Sequence, residues 1–332
     1  MRFMTIKEGY AQPLVASPTA PELVHVFAAR EIEAINAALA ARRPLLVRGE
    51  PGIGKSQLAR AAAAVLGRAF VQYVVDAHTE SRDLLWHYDA VARLADAQLI
   101  RALGEGEQSA GTRLAVQNYL HPRVLWWAFD WPDAEIQAGL VGEPTPQQLD
   151  GGNPANGCLV LIDEIDKAET DVPNGLLEAL GAACFTPPGR PKPVTATGEP
   201  PLVIITTNEE RALPDPFLRR CLVLHLRLPA DREALIAHLV ARGQAHFPNA
   251  DITMLRQAAE LLFQDRDTAK REHWLPLPGQ AEYLDLVRAV IALSEADLHQ
   301  PKRAPEAILA EVAGYVLEKH PDAFKRKQGD SD

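Results

Sequence analysis

The segment 49–56 reads Gly-Glu-Pro-Gly-Ile-Gly-Lys-Ser and has the spacing of a loop that binds phosphate, G-x-x-x-x-G-K-[ST]. Its glycines let backbone N–H groups converge on phosphate oxygens, and the N-terminus of a following helix adds positive partial charge. Lys55 can reach the outer phosphates of a nucleotide, and the Ser56 hydroxyl can ligate Mg²⁺. The predicted nucleotide-binding residues are Gly49, Glu50, Pro51, Gly52, Ile53, Gly54, Lys55, Ser56 and Gln57.

Two carboxylates, Asp163 and Glu164, follow the apolar run at 158–162. Five apolar residues suit a strand that is buried on both faces, and ligands of open parallel sheets bind at the carboxyl ends of the strands. Asp163 is therefore a candidate Mg²⁺ ligand, directly or through water, and Glu164 is a candidate to orient and polarise an attacking water. The alternative is that the two carboxylates only cap the next helix.

Three polar residues farther along the chain can complete such a site. Asn208 follows an apolar run at 202–206 and could contact a γ-phosphate or an attacking water, although asparagine after a strand is more often a turn former. Arg219 and Arg220 end a short helical segment predicted at 213–221.

The elements that must position these groups follow from hydrophobic spacing. The apolar run at 45–47, a helical pattern from Leu58 to Gly67 and a run at 69–75 form a β-α-β unit, which is typical of a parallel α/β sheet. Further strands are predicted at 158–162, 202–206 and 222–228. Helices are predicted at 28–41, from Ser81 with Ser81 or Asp83 as its cap, and at 172–183, and beyond residue 229 at 233–242, 252–263, 279–293 and 305–317.

These patterns divide the chain into four parts. We expect an extended arm at 1–22, a nucleotide-binding core at 23–228, a helical domain at 229–322 and a disordered tail at 323–332. The core carries insertions at about 81–157 and 183–200, and the second of these is expected to form a hairpin. Trp126 and Trp127 in the first insertion are more consistent with core or subunit packing than with a ligand cage.

Composition limits the classes of function. The charged residues, 34 basic and 44 acidic, give a net charge of −10, which argues against coating nucleic acid but leaves room for a local basic pore loop. Cys158, Cys184 and Cys221 are too few and too scattered for a disulfide framework or a metal site. No apolar stretch reaches 18 residues and the N-terminus lacks a signal-peptide core, so no membrane span and a cytoplasmic location are expected.

The order of these motifs resembles that of the AAA+ ATPases, and more narrowly that of the MoxR-like group. The resemblance covers about residues 25–320 and rests on Asp-Leu-Leu-Trp at 83–86, Leu-Trp-Trp-Ala-Phe at 125–129, Leu-Ile-Asp-Glu-Ile-Asp-Lys-Ala at 161–168 and Leu-Pro-Asp-Pro-Phe-Leu-Arg-Arg-Cys at 213–221. It implies an α/β fold, with a three-layer P-loop core around a parallel five-stranded sheet, followed by a small all-α lid. It also implies ATP and Mg²⁺ as cofactors and hydrolysis of the ATP phosphoanhydride.

By position, the resemblance makes 49–56 the Walker A loop, Asp163 and Glu164 the Walker B pair and Asn208 sensor 1. The helix predicted near Ser81 corresponds to the helix-2 insert, and residues 183–200 to the pre-sensor-1 hairpin. Arg219 and Arg220 match the arginine-finger region, and Arg220 is the stronger candidate because it ends the matching helix. A finger acts on the nucleotide of a neighbouring subunit, so the resemblance implies a ring, most often a hexamer.

The chain departs from the family pattern where a sensor-2 arginine is often found. That neighbourhood reads Leu-Pro-Gly-Gln-Ala at 277–281, and Gln280 cannot supply charge. Lys270, Arg271 and Arg288 are the candidates to replace the missing cation, and the sequence does not choose among them.

The leading hypothesis is an oligomeric Mg²⁺-dependent ATPase that remodels or activates another protein. MoxR-like ATPases usually act beside a protein with a von Willebrand A domain, so the resemblance implies such a partner. The alternative is a nucleic-acid translocating motor of a restriction or anti-phage system. A small-molecule kinase is a third reading, but it would not need Glu164, Asn208 and Arg220 together.

Overall fold

The computed structural model describes residues 2–16, 22–103, 107–295, 304–317 and 320. Part of the predicted arm, at 17–21, and the whole predicted tail at 323–332 lie outside the described residues. In chain order the described strands are β1 (Ala11–Leu14), β2 (Leu23–Val26), β3 (Leu45–Arg48), β4 (Arg68–Val74), β5 (Trp86–Tyr88), β6 (Leu120–Pro122), β7 (Asn153–Asp163), β8 (Cys184–Phe185), β9 (Val194–Thr195), β10 (Leu202–Thr207) and β11 (Leu222–His225).

Helices account for the rest of the described regular structure, apart from short 3₁₀ turns. The α-helices are α1 (Ala29–Ala41), α2 (Lys55–Leu66), α3 (Ala90–Leu103), α4 (Glu107–Arg113), α5 (Val124–Phe129), α6 (Trp131–Val141), α7 (Asp171–Ala182), α8 (Asp215–Leu218), α9 (Arg232–His246), α10 (Ile252–Arg271), α11 (Gln280–Glu295) and α12 (Pro305–Val316).

The core is a parallel five-stranded sheet, as predicted, and its strands lie in the order β11-β3-β10-β7-β4. Its strands are almost continuously apolar because both faces are covered. Along β7, Leu159 and Leu161 pack with α1 and α2, whereas Val160 and Ile162 pack with α5 and α7. This alternation produces the three layers, and parallel pairing places the carboxyl ends of β3, β7 and β10 at one edge.

The first insertion differs from its prediction at the start. Ser81–Leu84 is a single 3₁₀ turn instead of the predicted helix, because the chain then extends into β5, which pairs antiparallel with β6. Stacking of Trp86 on Phe185, with ring centroids 5.5 Å apart, favours this extended backbone by partly burying the indole. Helices α3 and α4 lie between the two strands in the chain.

Trp126 and Trp127 are buried in the core, as the packing interpretation predicts. The Trp126 indole N–H donates to Asp133 (2.8 Å), and Asp133 also accepts two bonds from Arg190 at 2.7 and 2.8 Å. Although partial burial opposes ionisation, the hydrogen bonds from Arg190 and Trp126 keep the pKa of Asp133 below its ordinary value. Arg190 thereby bonds the connection between β8 and β9 to α6. The strands β8 and β9 form the expected short antiparallel hairpin.

The lid is a bundle of α9–α12 with its own apolar cluster, and all four helices overlap the predicted ones. Buried Leu239, Leu255, Tyr283 and Val287 lie in this cluster. At the other end of the chain, β1 and β2 pair antiparallel, and β2 contacts both α2 and α9, so the N-terminal hairpin touches core and lid together. Among the residues described, no helix combines the length and apolar character that crossing a bilayer requires.

Candidate functional site

The phosphate loop joins β3 to α2 at the carboxyl edge of the sheet. Gly54 has φ 99, a left-handed conformation that favours glycine, and its carbonyl accepts the first helical bond, from Leu58 N–H (2.9 Å). Gly52 lies so close to the lid that an added Cβ would approach the Cβ of Ala281 to 2.8 Å. The loop therefore has both the local shape predicted for it and a lid helix directly against it.

Lys55 is buried at the base of the loop. Its Nζ donates to the carbonyl oxygens of Gly49 (2.7 Å) and Glu50 (3.0 Å) and to Oδ1 of Asn208 (2.7 Å). Burial lowers the pKa of Lys55, and the nearby carboxylates, Asp163 first, oppose that shift. The ammonium group is thus held between the loop and the residue predicted as sensor 1.

Ser56 and Asp163 meet at the end of β7. The Ser56 hydroxyl donates to both carboxylate oxygens of Asp163, at 2.9 and 2.8 Å, and Thr206 Oγ1 donates to one of them. A hydroxyl and a carboxylate oxygen in contact are hard ligands that fit Mg²⁺, which usually keeps several waters and binds substrate phosphates through its other positions. In the described part of the chain no group of three or more His, Cys, Asp or Glu side chains is placed to hold a metal, and two protein ligands agree with that mode of binding.

Glu164 lies one residue farther along, with a left-handed backbone (φ 61). Its N–H donates to Thr206 Oγ1 (2.9 Å), and its carboxylate accepts from Asn208 Nδ2 (3.3 Å) and from Lys167 Nζ. The contact with Glu164 raises the pKa of Lys167. The carboxylate therefore faces the same space as Lys55 and Asn208.

Asn208 is more than a turn former, because its side-chain amide bridges Lys55 and Glu164. Its position is fixed by Asp166, a buried carboxylate that accepts from the backbone N–H groups of Asn208 (3.4 Å) and Glu210 (2.9 Å). Sequence reasoning missed Asp166, and it also missed Thr206 and Lys167. The only signal for Thr206 was a hydroxyl residue at the end of an otherwise apolar strand.

A cavity of about 370 Å³ is lined by Lys55, Ser56, Asp163, Glu164 and Asn208 and, from the lid, by Gln280. A second cavity, of about 390 Å³, adjoins it and shares Gln280. Apolar side chains line this second space together with polar and charged ones, and they include Ile53, Leu224, Leu226, Leu228, Glu31, His225, Arg227, His238 and Arg242. Burial, together with the charge of Arg242, lowers the pKa of His238, whose ring contacts Gln280 at 3.1 Å.

Arg219 and Arg220 lie elsewhere. Both follow α8 and are exposed, and neither lines the two cavities. The backbone carbonyl of Arg219 accepts from Arg43 Nη1 (3.4 Å). The structure thus brings the predicted loop, carboxylates and Asn208 together within one chain but does not bring the arginine pair to that chain's own site.

The three predicted replacements for a sensor-2 arginine do not reach the site. Lys270 and Arg271 are exposed, and Arg271 pairs with Asp267 (3.1 Å). Arg288 pairs with Asp285 (2.7 Å) and lies over the ring of Phe247. The lid cation that contacts the phosphate loop is one that the sequence did not suggest, Arg266.

The part of the chain that carries the site matches a known protein family. Residues 44–221 match the family model described as AAA domain (dynein-related subfamily), a span that includes the loop, both carboxylates, Asn208 and the arginine pair. No curated protein matches the chain. Among solved structures, a presumed ATPase from Cytophaga hutchinsonii is 14% identical, covering 86% of this chain and 79% of its own, with a TM-score of 0.37. A RuvB mutant from Thermotoga maritima is also 14% identical, covering 88% and 69%, with a TM-score of 0.46.

Proposed function

We propose that this chain works as an oligomeric, Mg²⁺-dependent ATPase of the MoxR-like type. The proposal starts from the family: the chain belongs to the AAA domain family (dynein-related subfamily) and is an AAA+ P-loop ATPase. Its hydrolysis cycle would move the lid (229–322) against the core (23–228) to remodel or activate a partner protein. The observation that supports this proposal is the convergence of Lys55, Ser56, Asp163, Glu164 and Asn208 on one cavity.

The contacts suggest what each group does. Lys55 would exchange the carbonyls of Gly49 and Glu50 for phosphate oxygens, which are stronger partners for an ammonium group. Ser56 and Asp163 would hold Mg²⁺, which when bound neutralises charge on the β- and γ-phosphates. Glu164 and Asn208 would position the attacking water, and Glu164 would accept a hydrogen bond from it.

The second cavity suggests where the base would lie. It adjoins the phosphate cavity, its wall combines leucine and isoleucine side chains with charged and polar ones, and core and lid both line it. A nucleotide bound across the two cavities would therefore contact both domains through Gln280 and its neighbours. This arrangement supports lid movement as the mechanical output.

Two substitutions test the proposal. Lys55→Ala removes a cation that contacts phosphate and should abolish both ATP binding and turnover. Glu164→Gln keeps the shape of the site but removes the carboxylate, so it should bind ATP normally and lower kcat by about 10² or more. Phosphate release with and without Mg²⁺, together with nucleotide binding, measures both effects. Unchanged turnover in Glu164→Gln would contradict the assigned role.

The partner is proposed on the MoxR-like resemblance alone, and a von Willebrand A-domain protein is the expected one. Glu164→Gln should hold ATP and stabilise the complex, so the test is whether a purified von Willebrand A-domain protein encoded beside this gene binds it only with ATP present. Binding that does not depend on ATP, or no binding of the two proteins at all, would contradict this part of the proposal. Neither the family match nor the site geometry favours the nucleic-acid motor.

A further inference from the structure

Arg266 connects the lid to the phosphate loop. It lies in α10, its side chain is only 6% exposed, and one guanidinium nitrogen, Nη2, donates to both carboxylate oxygens of Glu50 at 2.8 and 2.7 Å. The other nitrogen, Nη1, donates to the carbonyl oxygen of Pro278 (2.8 Å). A single buried cation is thus bonded to the loop and to the segment that leads into α11.

Its partner, Glu50, is the second residue of the loop, and its backbone carbonyl accepts from Lys55 Nζ. The Glu50 side chain is 44% exposed, so water could solvate it without Arg266. Arg266 has no such alternative, because it is buried. The pair therefore matters more to the lid cation than to the loop carboxylate.

The segment after Pro278 rests directly on the loop. The Gly279 N–H is bonded to Glu282 (2.9 Å) at the start of α11, and the space above Gly52 is filled by Ala281. Gln280 and Leu284, in the same helix, line the phosphate cavity. We call residues 278–282 the lid seat. Arg266 holds the lid seat at Pro278 and the loop at Glu50, so the loop and the seat move together while both bonds persist.

We propose that Arg266 is a positioning residue that, through Glu50, couples occupation of the phosphate loop to the position of the lid seat. This inference rests on the proposed ATPase function, and it goes beyond that function by assigning the mechanical connection between nucleotide and lid to one ion pair. The cation of this pair comes from α10. The start of α11 carries uncharged Gln280 and supplies no cation to the loop. The guanidinium contacts two partners with two different nitrogens, Nη2 on Glu50 and Nη1 on Pro278, and the single ammonium nitrogen of a lysine cannot reproduce this arrangement.

The competing explanation is that the pair merely stabilises the fold. A double-mutant cycle separates the two, since residues that act through each other give effects that are not additive. In the full-length protein, Arg266→Met should raise the KM for ATP about tenfold with a much smaller change in kcat. Arg266→Lys keeps the charge but not the fork, and Glu50→Gln keeps a hydrogen-bond acceptor, so each should raise KM less. In the Glu50→Ala background, which removes the acceptor altogether, Arg266→Met should add less than about a twofold further change.

Hydrogen exchange reads the coupling without relying on activity. In the wild-type protein, a non-hydrolysable ATP analogue with Mg²⁺ should protect backbone amides both in the loop, 50–54, and in the lid seat. In Arg266→Met the analogue should still protect the loop but should no longer protect the lid seat. Arg256→Met is the matched control, because Arg256 lies on the same helix but is exposed and pairs with Glu233 and Glu260. It should leave both KM and exchange unchanged.

Equal protection of the lid seat in wild type and Arg266→Met would overturn the proposal, and so would KM effects that multiply in the double mutant. If Arg266→Met does not fold, Arg266→Lys and Glu50→Gln decide the same question through the same two measurements. Failure of the underlying ATPase function would look different, because the wild-type protein would then bind and hydrolyse ATP no better than Lys55→Ala.

Discussion

Thr206 holds the two acidic residues of the site in place. Its hydroxyl donates to Asp163 and accepts from the N–H of Glu164 (2.9 Å), and the residue is fully buried. One hydroxyl thus satisfies the backbone of one residue and orients the carboxylate of the other. The buried strand β10 is otherwise apolar until its last two residues. These two lie at the carboxyl edge of the sheet, where a polar side chain can bond to residues of the site.

Thr206→Val should weaken Mg²⁺ binding while the protein remains folded. The valine is nearly isosteric but leaves the Glu164 N–H unpaired, which costs about 1–3 kcal/mol, and frees Asp163 to rotate. We expect a higher Mg²⁺ concentration for half-maximal ATPase activity and a lower kcat. Titrating Mg²⁺ at saturating ATP measures both quantities.

Thr206→Ser is the control, because it restores the hydroxyl and should recover most of the metal affinity. Equal Mg²⁺ requirements in the valine and wild-type proteins would show that Thr206 only fills space.

Residue types and spacing predicted the chemical groups of the site but not all of their supports. Lys55, Ser56, Asp163, Glu164 and Asn208 each follow a recognisable strand or loop, so their convergence could be expected from parallel-sheet geometry alone. Arg266 could not be expected, because it lies 216 residues from Glu50 and reaches it only through the packing of the lid. Periodicity predicts that a helix exists and which face is apolar, but it does not fix where that helix docks.

At the scale of elements, the N-terminal hairpin links core and lid through β2 and α9. His246, in the last turn of α9, is a titratable group at this contact whose pKa is shifted. Burial and the neighbouring charges of Arg288 and Arg242 lower its pKa to about 4, and the carbonyl of Val24 opposes the shift. Nearby, Arg242 Nη1 donates to the carbonyl of Val26, and His25 contacts Glu31 at 3.3 Å.

This contact should make the protein less stable in mild acid. The folded-state pKa of His246 is about 4 and the unfolded value is 6.5, so the unfolded chain binds the extra proton between those values. Stability is then lost as pH falls from about 6.5 towards 4, by at most about 1.4 kcal/mol per pH unit from this residue. Denaturant unfolding from pH 7.5 to 4.5 measures the slope.

His246→Gln should make that slope shallower while leaving the rest of the pH dependence in place. The same slope in the variant would mean that other groups carry the acid sensitivity of the β2–α9 contact.

A 3₁₀ turn stands where the predicted helix near Ser81 should begin, and the reason lies in long-range pairing. Residues 83–86 have acceptable helix propensity, but Trp86–Tyr88 find strand partners in Leu120–Pro122, more than 30 residues away in the chain. Tertiary contacts override local propensity in such short segments. The lid helices, which are long and strongly periodic, were predicted without this difficulty.

At the scale of the whole molecule, the two arginines that follow α8 do not reach the candidate site of their own chain. Arg219 and Arg220 are exposed and lie outside both cavities. If Arg220 completes the site of a neighbour, as the family resemblance implies, activity depends on assembly. A cation of this kind is worth about 10³–10⁵ in rate in comparable phosphoryl-transfer sites.

Arg220→Ala should therefore bind ATP normally and turn over at least about 10³-fold more slowly, with Arg219→Ala less affected. The decisive measurement mixes Arg220→Ala with Lys55→Ala, both inactive alone. A complete site forms at each interface where the Arg220→Ala protein supplies the intact loop and the Lys55→Ala protein supplies the intact Arg220. In a head-to-tail ring mixed in equal amounts, about a quarter of the interfaces have this combination, so about a quarter of wild-type activity should return. Lys55→Ala mixed with Glu164→Gln should stay inactive, because both defects lie on the same side of the interface and no complete site can form. Full activity in Arg220→Ala, or a first mixture as inactive as the second, would exclude Arg220 as a group donated between subunits.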